Sequence, residues 1–266
     1  MKLRSVAQAP RGIDIMENSK FKVVEIFRSV SGESINSGQI AVFIRLYGCN
    51  LRCSYCDTPY GYEGGEYVEM TAEEVRMEAE ALSPNGLVVL TGGEPLVHPQ
   101  VEYLLKELLE HAFCVEIETN GSIDIRKIAT RLDEIEADFE YSQLSFTVDY
   151  KCPSSEVMTD MLPINEFYSM IKDVMSIQFK YECAIKFVVS TLEDLKVASS
   201  VSSVLMGGID SDYPNLIFGE RIFISPVYGA DIPKIVNFME NDEVLCWCRL
   251  QLQIHKYIWD PDKRGV

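Results

Sequence analysis

The sequence predicts an α/β protein, a single partial (β/α)6 barrel with a mostly parallel sheet, over residues 21–266 behind a polar extension of residues 1–20. Three observations predict it. Apolar, β-branched runs alternate with helical patterns, no repeat or low-complexity linker divides the chain, and the unusual polar clusters fall just after the apolar runs. Strands alternating with helices mean βαβ units, whose crossovers make the strands parallel.

The elements follow in order. Residues 1–20 are polar and aperiodic, and so are expected outside the core. Strand-like runs lie at 40–46 (IAVFIRL), 87–91 (LVVLT), 114–118 (CVEIE), 144–149 (LSFTVD), 184–190 (AIKFVVS) and 221–225 (RIFIS). A helix is expected over 71–82, opened by Thr71 and Glu74 at capping-box spacing. Another is expected over 99–112, where Val101, Leu104, Leu105, Leu108 and Leu109 share one helical face. Further helical patterns occupy 124–132, 163–180, 191–206 and 231–240.

The polar clusters GCNLRCSYCDT, GGEP, TNGS, DYKCPSS, STLED and SPVYG each follow one strand, in that order. Parallel α/β folds bind ligands at the carboxyl ends of their strands. Six loops are therefore expected to meet on one rim, as an active site requires.

Composition narrows the function. With 24 Lys and Arg against 41 Asp and Glu, the net charge is −17. Nucleic acid and anionic membranes both call for a basic footprint, so neither is an expected partner. No apolar run approaches the roughly 18 residues of a membrane span, and the N-terminus lacks the apolar stretch of a signal peptide. A cytoplasmic protein is expected. Its eight cysteines then point to metal or catalysis rather than disulfides.

Cys114 and Cys183 sit in strand-like runs, and Cys152, Cys246 and Cys248 have no neighbour at C-x2-C spacing. Cys49, Cys53 and Cys56 differ, reading C-x3-C-x2-C within eight residues. Structural zinc wants four ligands and paired knuckles, whereas an electron-carrying [4Fe–4S] cluster normally has four cysteines. Three thiolates leave one iron open, and an open position marks a reactive metal site. Spacing favours the open cluster and keeps zinc as the alternative.

This pattern, followed by GGE, resembles the radical S-adenosylmethionine superfamily, and within it the 7-carboxy-7-deazaguanine synthases of the 7-deazapurine (queuosine precursor) pathway. The segments that carry the closer resemblance are EIFRSVSGES (25–34), GQIAVFIRLYGCNLRCSYCDTPYG (38–61), LTGGEP (90–95), IETNGS (117–122), DYKCPSS (149–155), KFVV (186–189), SPVYG (225–229) and LQLQIHKYIW (250–259). They span about residues 23–260. The resemblance implies a lyase that converts 6-carboxy-5,6,7,8-tetrahydropterin to 7-carboxy-7-deazaguanine with loss of ammonia. The chemistry would begin with a 5′-deoxyadenosyl radical from S-adenosylmethionine, cleaved at the open iron. It also implies Mg2+, a reductant such as a flavodoxin, and a homodimer.

By the same resemblance, Cys49, Cys53 and Cys56 hold the cluster and Thr58 ligates Mg2+. Gly93 and Glu94 would hold the methionyl amino group, since carbonyl and carboxylate acceptors suit an ammonium. Tyr55 and Asp57 would contribute to the adenosine pocket. Asp149, Tyr150 and Lys151, with Ser225, Pro226, Val227 and Tyr228, match two further S-adenosylmethionine segments. Val30, Ser31, Gly32, Glu33 and Thr91 would contact the pterin. Where the family has Gln-Gly-Glu-Gly, this chain has Ser31-Gly32-Glu33-Ser34, and a serine cannot present an amide donor and acceptor together. Arg45 lies in an otherwise apolar run; a buried Arg must be paired, either with the substrate carboxylate or with an internal acid. The roles of His255 and Lys256 stay open. A glycyl-radical activase, another small-molecule radical enzyme, and a zinc-stapled binding protein are the competing readings.

Overall fold

The computed structural model describes residues 19–140, 143–176, 181–207 and 219–266. The strands are β1 (Lys20–Val30), β2 (Ile40–Leu46), β3 (Val68–Thr71), β4 (Leu87–Gly92), β5 (Cys114–Thr119), β6 (Leu144–Asp149), β7 (Glu182–Val189), β8 (Ile222–Pro226) and β9 (Arg249–Leu250). The helices are α1 (Ala72–Leu82), α2 (Val101–Glu110), α3 (Arg126–Glu134), α4 (Ile164–Met175), α5 (Leu192–Gly207), α6 (Ile232–Asn241) and α7 (His255–Ile258). The sheet runs β3-β1-β2-β4-β5-β6-β7-β8-β9 and does not close. From β2 to β9 every pairing is parallel, while β1 pairs antiparallel with β2 and β3.

All six predicted runs are strands, and they form the parallel barrel fragment. Strands β1, β3 and β9 were not foreseen in the sequence. In β1 the register shifts between Val23 and Glu25, which breaks the period-two alternation that marks a strand. Strand β3 is a short edge and β9 has two residues, too few to carry a pattern. Residues 1–18 of the expected extension lie outside the described residues, whereas Lys20 already belongs to β1 and Phe21 is fully buried.

The helices begin where local chemistry starts them. At α1, Glu74 N donates to Thr71 Oγ1 (3.2 Å) and Thr71 N donates to Glu74 Oε2 (2.8 Å), the reciprocal box. The five apolar residues expected on one face of α2 are all buried, each worth roughly 1.5–3 kcal/mol on the transfer scale. The helix expected over 163–180 ends at Met175, and residues 177–180 lie outside the described residues. Successive helices α1 to α6 pack side by side over one face of the sheet.

The two faces of the parallel strands differ. Ile44, Leu90, Ile117, Phe146, Val148, Ile185 and Phe187 are buried in the main core under the helices. The alternate positions hold Arg45, Thr91, Glu116, Glu118, Thr147, Asp149 and Lys186, and register places Arg45 beside Thr91, Glu118 beside Thr147 and Asp149 beside Lys186. A parallel sheet enclosed by a core would be apolar on both faces. This inner face is built for a polar ligand.

Candidate active site

The inner face and the loops at the strand ends enclose a cavity of about 430 Å3. Five of the six loop clusters reach it. The STLED loop does not: Asp194 there accepts from Ser154 N, Ser190 N and Thr191 N, tying two loops together. Strand β7 contributes Lys186 and Val188 instead.

Cys49, Cys53 and Cys56 all line this cavity as free, half-buried thiols. Their loop leaves β2 through Gly48, whose φ of +115° favours glycine, and its Gly48 N–H is closed onto Gly61 O at 2.7 Å. The GGE turn presses against it: a Cβ on Gly93 would stand 2.2 Å from Gly48 O and 2.7 Å from Cys49 Cβ. The glycines thus serve close approach of two loops, and both Gly92 and Gly93 open on the cavity. Asn120 Nδ2 lies 3.9 Å from Cys49 Sγ, and Leu51 N donates to the same sulfur at 3.4 Å.

The thiols fit an iron–sulfur cluster. Burial raises Cys49 and Cys53 above the ordinary thiol range, and coordination to a metal deprotonates such thiols outright. The other five cysteines do not line the cavity. Tyr55, between Cys53 and Cys56, lines the cavity too, its buried hydroxyl lacking a hydrogen-bond partner among the described residues.

Glu94 departs from expectation. It is fully buried and absent from the cavity wall, because its carboxylate accepts from Leu96 N (3.0 Å), Thr119 Oγ1 (2.9 Å) and Asn120 N (2.6 Å). Burial still pushes its carboxyl up to about 7. It clips the end of β4 to the end of β5 instead of facing a ligand ammonium.

Four charges run in alternation across the cavity floor. Lys186 Nζ lies 3.2 Å from Glu33 Oε2 and 3.2 Å from Asp149 Oδ1, and Lys151 Nζ lies 2.6 Å from Asp149 Oδ2. Burial would raise the Asp149 carboxyl, yet the two ammonium groups hold it below its usual range. Lys151 stands 5.9 Å from the Tyr55 ring centre, which brings a cation beside the cysteine loop. Glu33, Gly32, Val30, Asp149, Lys151, Asp57, Thr58 and Val227 all line the cavity.

Several expected contacts lie elsewhere. Ser31 N and O are engaged with Gln39 and Gly38, and its hydroxyl donates to Glu33 O, so its polar groups close the loop. Tyr150 packs edge-on against Phe167 in the core. Ser225 donates to Glu33 Oε1 at 3.1 Å and thereby positions that carboxylate from behind. Pro226 ends strand β8, and Tyr228 stands exposed against Tyr257. Of these five, Ser31 and Ser225 bond to Glu33, a residue that lines the cavity.

Arg45 has the internal acid of its second reading. Its Nε donates to Glu25 Oε1 at 2.8 Å, across the β1–β2 register that pairs these residues. Glu25 takes Nε, and the guanidinium still lines the cavity. Thr91 Oγ1 donates to Glu118 Oε2 at 2.9 Å, and burial pushes the Glu118 carboxyl up to about 7.

Sequence reasoning missed Lys186 and Glu118, and left open the roles of His255 and Lys256 in the C-terminal segment. The signal for Lys186 was present, since a cation inside the apolar run ECAIKFVV needs a partner as Arg45 does. The segment delivers Lys256, whose Nζ pairs with Asp57 Oδ2, and His255, which packs so closely that a Cβ on Gly32 would meet its Nδ1 at 2.4 Å.

The Radical SAM superfamily model matches residues 43–157. The chain is 41% identical over 249 residues to the 7-carboxy-7-deazaguanine synthase of Clostridium acetobutylicum, covering 92% of this chain and 99% of that one. The synthase of Methanospirillum hungatei is 35% identical over 246 residues, with 92% and 88% covered. The crystal structure of QueE from Escherichia coli shares the fold, with a TM-score of 0.63 at 19% identity over 92% of this chain and 99% of that one. With that coverage and that identity, the chain belongs to the 7-carboxy-7-deazaguanine synthase family of the radical SAM superfamily.

Proposed function

We propose that this enzyme is a carbon–nitrogen lyase that converts 6-carboxy-5,6,7,8-tetrahydropterin to 7-carboxy-7-deazaguanine and ammonia. One observation carries the reading: a single cavity is lined at once by the three clustered thiols, by Arg45 and by the Glu33–Lys186–Asp149–Lys151 chain. A [4Fe–4S] cluster with S-adenosylmethionine supplies the deoxyadenosyl radical that starts the ring contraction. Cys49, Cys53 and Cys56 hold that cluster. Gly93 offers backbone, and Tyr55, Asp57, Asp149, Lys151 and Val227 wall the cofactor. Arg45 grips the substrate carboxylate, Glu33 and Thr91 meet the pterin ring, and Thr58 supplies a hydroxyl to Mg2+. The surrounding reading is a cytoplasmic homodimer reduced by a flavodoxin-type donor.

Anaerobic turnover with 6-carboxytetrahydropterin, followed by mass, tests it. The expected product is lighter than the substrate by one ammonia. A protein with its full cluster that leaves this substrate unchanged under reducing conditions overturns the reading.

A further inference from the structure

Residues 261–266 fold back and line the cavity opposite its floor. From this tail Arg264 lays its guanidinium over the Tyr60 ring, 3.8 Å from the centre. The Arg45 guanidinium stands 5.9 Å from the centre of the same ring. Two cations from opposite ends of the chain therefore share one aromatic residue at one end of the cavity.

Glu25 takes Arg45 Nε at 2.8 Å and the Tyr60 hydroxyl at 3.1 Å. The tail lies close by, since a Cβ on Gly265 would come 3.9 Å from Glu25 Oε2. Arg264 itself has no ion-pair partner among the described residues. A guanidinium held over an aromatic ring still has N–H groups to offer, and those form the fork that matches a carboxylate. The ring fixes the plane of that fork, so less freedom is lost when an anion arrives.

We infer that Arg264 is a second recognition residue for the substrate carboxylate, acting with Arg45 beside Tyr60. The inference rests on the pterin reading above and deepens it, because it assigns carboxylate specificity to the tail.

The test titrates 6-carboxytetrahydropterin, and tetrahydropterin lacking the carboxylate, into the anaerobic, cluster-loaded full chain. Arg264→Gln should weaken the carboxylated ligand about tenfold, the loss of one charge-assisted bond. The same change should leave the ligand without a carboxylate within about twofold. Arg264→Lys should recover part of the loss, because an ammonium is charged but not forked. Equal weakening of both ligands would make the tail a mere cover, and unchanged binding would leave Arg264 without a role; either overturns the inference. A parent protein that does not prefer the carboxylated ligand brings down the substrate reading, and this inference with it.

Discussion

Lys256 Nζ lies 2.7 Å from Asp57 Oδ2, so the last helix holds the cysteine loop between Cys56 and Thr58. Asp57 is partly open to solvent while the Lys256 side chain is nearly buried. A half-exposed pair is worth about 1 kcal/mol at most. Lys256→Met and Asp57→Asn should each destabilise the protein, and their double-mutant cycle should return a coupling of about 0.5–1 kcal/mol in urea unfolding. Additive effects would mean that the contact does not tie the loop down.

The buried chain on the cavity floor is more demanding. Lys186 bridges Glu33 and Asp149, with side chains only 9%, 12% and 14% exposed. Removing one member of a buried ion network leaves uncompensated charge and costs about 3–5 kcal/mol. Lys186→Met should therefore lose about 3 kcal/mol or fold poorly. Adding Glu33→Gln should restore part of that stability by removing one orphaned carboxylate. A single variant as stable as the parent would show that water, not Lys186, compensates the acids.

Glu118 gives stability a pH dependence of definite sign. Burial raises its carboxyl from 4.5 to about 7 in the folded chain. The folded protein then keeps a proton that the unfolded chain releases between those values. Its contribution is greatest below about pH 4.5 and is lost as pH rises toward 7. Glu118→Gln should flatten the fall of unfolding free energy across this window. An identical slope in parent and variant would place the titration on another group.

Much of this was legible in the sequence. The six parallel strands each carried a run of apolar, β-branched residues, and the C-x3-C-x2-C loop and Arg45 stood out because residue type and spacing were unusual, whereas Thr58 was named only through the resemblance. What escaped was non-local. Strand β1 hid behind its register shift, and Glu94 looked like a ligand group because nothing local reveals that Thr119 and Asn120 would occupy its carboxylate. Ser34 takes φ +68°, a region that favours glycine, and its N–H donates to Gln251, which lies 217 positions away. Lys256 and Arg264 return to the cavity from the far end of the chain, a fact of topology rather than of motif.

Thr58 is the residue whose role the geometry leaves most open to experiment. It faces the cavity next to Cys56, and its hydroxyl has only a 3.9 Å contact with Cys56 Sγ. It starts the short turn Pro59–Gly61 without capping it by side chain, so the turn does not need the hydroxyl. An uncommitted oxygen donor suits Mg2+, which takes few protein ligands and completes its shell with water and substrate oxygens. Asp57 beside it is held by Lys256 and is not free to compete. Thr58→Ala should keep the fold, the cluster content and the affinity for S-adenosylmethionine. It should lose the tightening of pterin binding by Mg2+ and most of the product formed. Thr58→Ser, which retains the oxygen, should keep both. A Thr58→Ala protein whose pterin affinity still responds to Mg2+ like the parent would move the ion elsewhere and leave Thr58 as a turn residue.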